Sequence, residues 1–282
     1  MNSKFFAVIV VSVFLLMGYL SVKPSNNRVW QKDVAVLSNA SVNNNLVTVH
    51  NIRNFTYRSE FDYTPVYYDE TFDVNKLQGI DLIAVYWMGP KIAHIFLSFD
   101  FGTEGHLAIS IETRKEKGEE YSTLKGFFRQ YELYYVVADE RDVIGLRSNY
   151  RNNPQEDVYI YRTKGSAGDR KRLFMEYIRE MNRLKDQPEF YNSLITNCTT
   201  NIWLNSRVNE NHLPFHWKVL VSGYVPEYLY EQGRLVTHGL SFSQLQKASC
   251  INEKAHRVGI VTDFSSQIRD NNGSLFNRGS HL

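Results

Sequence analysis

Two alternating stretches, Ile92 to Phe101 and His106 to Thr113, flank Gly102-Thr-Glu-Gly105. Alternation with a period of two is the mark of a strand, and a short glycine-bracketed link joins strands antiparallel. In the first stretch Ile95, Leu97 and Phe99 share one face, with His94, Ser98 and Asp100 on the other. In the second, Leu107, Ile109 and Ile111 are apolar while Ser110 and Glu112 share the opposite face. A turn of three or four residues pairs positions whose numbers sum to 206 or 207. That sets His94 opposite Glu112 or Thr113, within cross-strand reach. His106 lies at the hairpin tip, roughly 20 Å from Glu112 at strand rise.

Further strand-type runs are Asp81 to Trp87, Glu132 to Ala138, Val143 to Arg147 and Asp157 to Arg162. The charged stretches Lys115 to Glu120 and Asp139 to Asp142 read as solvated turns between them. Residues 47–76, rich in aromatics, read as extended segments over a core edge. Asp169 to Lys185 carries Leu173, Phe174, Tyr177, Ile178, Met181 and Leu184 at helical spacing, with Asp169 as cap and Pro188 beyond the end. Val225 to Gln232 reads as a short helix closed by Gly233. Strands first and helices late make this an α+β fold, an antiparallel sheet with helices packed on it.

Composition narrows the partners. Thirty-two basic and 30 acidic residues leave a net charge of +2 with no long basic run, so nucleic acid is not an expected partner. The residues from Phe5 to Val22 form an uncharged apolar run closed by Lys23 and Pro24. It is slightly long for a signal-peptide core and lacks a good small-x-small cleavage site, which favours an uncleaved membrane anchor. Lys4 and the amino terminus face Lys23, Arg28 and Lys32 across it, so charge alone does not orient it. The expected organisation is a short tail (1–4), one N-terminal membrane helix (5–23), a polar linker (24–46), one α+β domain (47–260) and a polar tail (261–282).

Chemistry concentrates at Tyr191 to Trp203. Thr196 and Asn197 are helix-capping types, and Ile202, Trp203 and Val208 give a partial apolar face beyond them. Cys198 is thereby set in a first helical turn, where free N–H groups and the helix dipole favour a thiolate. Free cysteine is also among the most buried residue types, so a structural role competes with a nucleophilic one. Such a nucleophile needs a base, and the base an orienting group; His94 and Glu112 fill those roles by register. For Glu112 the competing role is a surface carboxylate paired with Arg114 or Lys115. His212, His216 and Trp217 follow the cysteine helix and are placed to line the same cleft. The Cys198 N–H and the Asn197 side chain are candidate oxyanion donors, the latter the weaker. Cys250 is the second cysteine, and the two could pair in an oxidising compartment. No Cys-x-x-Cys pair occurs, and neither a metal nor a cofactor is expected.

Five ordered blocks carry a resemblance: Val49 to Phe55; Ile92 to Phe99; Ser110 to Arg114; Tyr131 to Tyr134 with Asp139 to Asp142; and Pro188 to Asn192 through Asn197 to Asn201. Together they resemble the bacterial Lnb-type N-terminal periplasmic domain over about residues 47–250. The resemblance implies a circularly permuted papain-like fold, in which a strand histidine precedes a helix-opening cysteine. It also implies acyl transfer through an acyl-cysteine, with phospholipid as donor, lipoprotein as acceptor and the bacterial membrane as setting. Members of the acyltransferase type continue into several membrane spans, a pattern from which this chain departs. A thiol amidase or peptidase of the envelope, with water as acceptor, is the alternative, and a non-catalytic binding module is a third.

Overall fold

The computed structural model describes residues 21–120, 130–193 and 196–269, together with Phe5, Val10, Val13 and Met17. The segment read as an anchor therefore lies largely outside the described residues, among which no helix is long and apolar enough to cross a membrane. The strands are β1 (Asn39–Asn43), β2 (Leu46–Arg53), β3 (Thr56–Tyr57), β4 (Tyr63–Thr64), β5 (Tyr67–Asp73), β6 (Gly79–Tyr86), β7 (Ala93–Asp100), β8 (His106–Arg114), β9 (Glu132–Asp139) and β10 (Asp157–Arg162). The α-helices are α1 (Glu140–Gly145), α2 (Ala167–Asp186), α3 (Cys198–Ser206), α4 (Trp217–Leu220), α5 (Val225–Glu231), α6 (Phe242–Ser249), α7 (Asn252–Val258) and α8 (Phe264–Gln267).

Eight strands form one sheet in the order β1-β2-β9-β8-β7-β6-β10, with β5 also paired to β2. The α+β class holds, but the sheet is mixed: Arg53 pairs parallel with Ala138. Alternation reports which face a side chain takes, not the direction of the neighbouring strand, so this pairing was invisible in the sequence. Both faces are covered. On one, Leu97, Phe99, Leu107 and Ile109 pack against Phe174, Tyr177, Ile178 and Met181 of α2. The Phe99 ring meets Phe174 at 5.1 Å and Tyr177 at 5.4 Å between centroids, both edge-on. On the other, Phe96, Val136, Val158 and Ile160 meet Ile144, Ile251, Ala255 and Phe264. The capping reading for α2 shifts by one turn: Ser166 is the cap, and Asp169 closes a capping box as its third residue.

Four further expectations give way. Asp139 to Asp142 is not a solvated turn, nor is Val143 to Arg147 a strand; Asp139 caps α1, which runs on into a π-helical turn over Leu146–Tyr150. Glu140 and Asp142 are fully buried, each facing an arginine from a distant part of the chain. Arg269 holds Glu140 at 2.5–2.6 Å, and Arg53 holds Asp142 at 2.8 Å. Residues 24–46 are not a free linker: β1 joins the sheet, Val34 is buried, and the Val34 and Ala35 carbonyls accept from Arg114. The segment read as a frayed tail likewise begins with α8, whose Phe264 is fully buried.

Candidate active site

The hairpin adopts the first of the two expected registers. Leu97↔Ile109, Ser98↔Ala108, Phe99↔Leu107 and Asp100↔His106 all sum to 206. The β7–β8 ladder closes at Leu97↔Ile109, although β7 runs back to Ala93 and β8 on to Arg114. Helix α3 packs against both strands, with its first residue set where they part. The Ile95 N–H, beyond the last rung, is donated to the Cys198 sulfur.

Local chemistry starts α3 at Cys198. Asn197 has extended backbone, and its Oδ1 accepts from the Thr200 N–H at 2.9 Å and from the Thr199 and Thr200 hydroxyls at 2.9 and 3.0 Å. This satisfies donors that a helix start leaves free. The Asn197 Nδ2 donates to the Ser193 carbonyl at 3.0 Å. Its side chain is therefore a cap tied on both sides, and the Cys198 N–H is the stronger oxyanion candidate.

His94 lies against the thiol. Its Nε2 is 2.7 Å from Ser110 Oγ and 3.3 Å from Glu112 Oε1, and Ser110 Oγ donates to Glu112 Oε1 at 2.8 Å. This relay fixes the proton on Nε2 in the neutral ring and leaves Nδ1 for Cys198, the tautomer a general base needs. Glu112 is not the surface partner of Arg114 or Lys115. Arg147 from the π-helical turn donates to its Oε1 at 3.0 Å, and Arg114 turns instead to backbone carbonyls and the Trp30 ring.

Electrostatics follow from these contacts. Burial alone would raise the Cys198 thiol. The hydrogen bond and charge of His94, with the N–H groups of Ile95 and Thr199, outweigh burial and bring the thiol below its ordinary value. Burial, then the charge of Arg147, presses His94 down; Cys198 and Glu112 overcome both, and the ring lies above its usual value. Burial also opposes ionisation of Glu112, but the His94 hydrogen bond and the charges of Arg147, His94 and Arg53 hold its carboxyl well below the usual range. These opposed shifts of thiol and imidazole favour a thiolate–imidazolium pair.

Other candidates fall elsewhere. His106 Nε2 is 3.7 Å from Asp100 at the hairpin tip. His212 Nδ1 donates to the Asn209 carbonyl, and His216 stacks on Tyr228 and accepts the Lys218 N–H at the start of α4. Their His-x-x-x-His spacing straddles Pro214, so they do not share a helix face, and among the described residues no group of three or more His, Cys, Asp or Glu could hold a metal. Cys198 and Cys250 are both free thiols. Sequence reasoning missed Ser110 as the bridge and Arg147 as the partner of Glu112. The shared face of Ser110 and Glu112 was a usable signal for the first; nothing in a stretch read as a strand pointed to the second.

The profile of the Lnb N-terminal periplasmic domain matches residues 63–223. No curated protein and no solved structure matches the chain. His94, Ser110, Glu112, Arg147 and Cys198 all fall inside a match spanning more than half of the sequence, and the protein accordingly belongs to the family of Lnb N-terminal periplasmic domains.

Proposed function

We propose that this protein is a membrane-tethered, periplasm-facing thiol acyltransferase working through an acyl-cysteine, on a circularly permuted papain-like fold. The carrying observation is a low-lying Cys198 thiol against a histidine whose far nitrogen is tied to Ser110 and Glu112. The Cys198 sulfur attacks the carbonyl of a phospholipid ester, with the Cys198 N–H facing the developing oxyanion. The ester C–O bond breaks, the lysolipid oxygen takes the proton held by His94, and a thioester remains. The lipoprotein α-amine then attacks the thioester. His94 accepts its proton, the amide forms, and the thiol is released.

The position of the amino-terminal segment supports a lipid substrate. The Ser25 N–H donates to Glu132 Oε1, and Asn26 Nδ2 donates to the Leu184 and Lys185 carbonyls. Glu132 pairs with Arg114, two rungs beyond Glu112↔Tyr134. A tether through residues 5–23 would join the domain at the sheet end that carries His94, an arrangement that supports a thiol working close to a bilayer.

The test supplies the purified full-length protein with labelled phospholipid and a lipoprotein carrying a free α-amine. Labelled amide that is lost with Cys198→Ser is the expected product. Labelled free fatty acid or cleaved peptide without amide would make it a thiol hydrolase; product formation indifferent to Cys198 would remove the thiol mechanism.

A further inference from the structure

A cavity of about 190 Å³ lies on the α2 face of the sheet, with Thr199, the neighbour of Cys198, in its wall. Leu82, Leu97, Leu173, Val219 and Leu229 give it apolar walls. Thr199, Ile202, Trp203 and Ser206 of α3 line it at i, i+3, i+4 and i+7, the spacing of one helix face. Neither Cys198, His94 nor Glu112 contributes to its wall.

Its rim differs sharply from its interior. Lys164, Arg170 and Arg234 all line it and are drawn together by the backbone. The Lys164 N–H donates to the Arg234 carbonyl at 2.8 Å, and Arg170 Nη1 donates to the Gly165 carbonyl at 2.7 Å. Arg170 and Arg234 otherwise donate to the carbonyls of Leu77 and Asn211. The one lining carboxylate among the described residues, Asp169, is engaged by Arg172 at 2.5 Å and by the Ser166 cap. Among the described residues no carboxylate lies within ion-pair distance of the three cations. Burial, then the charge of Arg162, lowers Arg170 from its ordinary value, as expected of a guanidinium short of counter-charge.

We infer that this cavity is a binding site for a single-chain anionic amphiphile, a fatty carboxylate whose chain lies along Leu82, Leu97 and Ile202 and whose head meets Arg170, Arg234 and Lys164. Charge complementarity selects the class. An apolar interior takes an alkyl chain in proportion to the area it removes from water, and a guanidinium offers a carboxylate paired N–H donors. Cys198 and His94 do not line the cavity, so the bound chain is a ligand of a second site and not the acyl group in transfer. The inference does not rest on the thiol mechanism.

The test uses the full-length protein in membranes, a diazirine-bearing analogue of laurate, irradiation and peptide mapping. Crosslinks are expected on residues 199–206 or at Leu173, competed by laurate and much less by dodecanol, which has the chain without the charge. Ile202→Trp, which fills the cavity, should abolish them. Arg170→Gln with Arg234→Gln should weaken laurate competition by about tenfold, the scale of two partly exposed charge contacts. Lauryl phosphate competing as well as laurate would assign the site to any single-chain anion; competition by laurate alone would fix the carboxylate. Cys198→Ser should leave labelling intact, so failure of the thiol reading would not remove this site. Labels scattered over the surface, dodecanol competing as well as laurate in the wild type, or laurate competition unchanged in the double arginine variant would overturn the inference.

Discussion

Replacing Glu112 by glutamine keeps the shape of the side chain and removes one charge from the relay. Glu112 Oε1 stands 3.3 Å from His94 Nε2. A unit charge pair at that separation is worth ~5 kcal/mol at an effective dielectric of ~20 and ~1 kcal/mol in water. The Glu112 side chain is 26% exposed, and Arg147 shares the same oxygen at 3.0 Å, so the lower half of that range applies. A loss of ~2 kcal/mol corresponds to a ~30-fold slower reaction of Cys198. Arg147 sharpens the effect, because in the variant its charge acts on the imidazolium without the carboxylate between them. The sign is definite. Losing the anion lowers the raised value of His94 and lets the depressed Cys198 thiol rise, so the pH window of the ion pair narrows from both sides. The assay is the rate of iodoacetamide alkylation of Cys198 against pH, read on the Cys198 peptide by mass spectrometry. Cys250, whose thiol burial pushes up, is the internal reference. In the wild type alkylation should persist well below the ordinary thiol range of ~8.5; in Glu112→Gln its inflection should move up towards that range. A variant shown by melting to be folded, with an unmoved inflection and less than about threefold loss, would refute the role given to Glu112.

Other perturbations separate structure from chemistry. His94→Ala should slow Cys198 alkylation near neutral pH by ~100-fold, whereas His106→Ala, at the hairpin tip in β8, should leave the rate nearly unchanged; alkylation rates on the same two peptides decide it. Asn197→Ala removes the cap of α3 and should cost ~1–2 kcal/mol in denaturant unfolding, with slower alkylation because the helix start that places the thiol is loosened. Arg269→Ala strips the cation from Glu140 and leaves Asp81 with Arg162 alone, both carboxylates being fully buried, and should cost ~3–5 kcal/mol without moving the pH profile of Cys198 in the folded fraction. Glu140 also predicts an acid limb. Burial opposes its ionisation, but Arg269, then His106, hold its carboxyl down at about 2. A depressed folded value contributes stability above the unfolded carboxylate range of ~4.3, lost as pH falls towards about 2. Melting temperature should drop across that window, and less steeply in Glu140→Gln.

The sequence carried the parts of this fold that depend on neighbours along the chain. The hairpin register was legible because turn length and alternation settle it locally, and the start of α3 because Asn197 caps with its own side chain. What depends on contact between distant segments was not. Glu140 and Asp142 look solvated until Arg269 and Arg53 arrive from elsewhere in the chain. The parting of β7 and β8 that admits Cys198 leaves no trace in either strand's pattern. The sequence of residues 24–46 is polar, yet what docks there is largely backbone: the carbonyls of Val34 and Ala35 receive Arg114, and β1 pairs along β2.

The central claim, a covalent acyl group carried on Cys198, is tested most directly by trapping it. The purified full-length protein is incubated with phospholipid in the absence of an amine acceptor, digested at mildly acidic pH and examined by mass spectrometry. The account predicts an acyl mass on the Cys198 peptide that hydroxylamine removes, none on Cys250, and none in His94→Ala. A Cys198 peptide that stays unmodified while iodoacetamide still alkylates it readily would contradict the account.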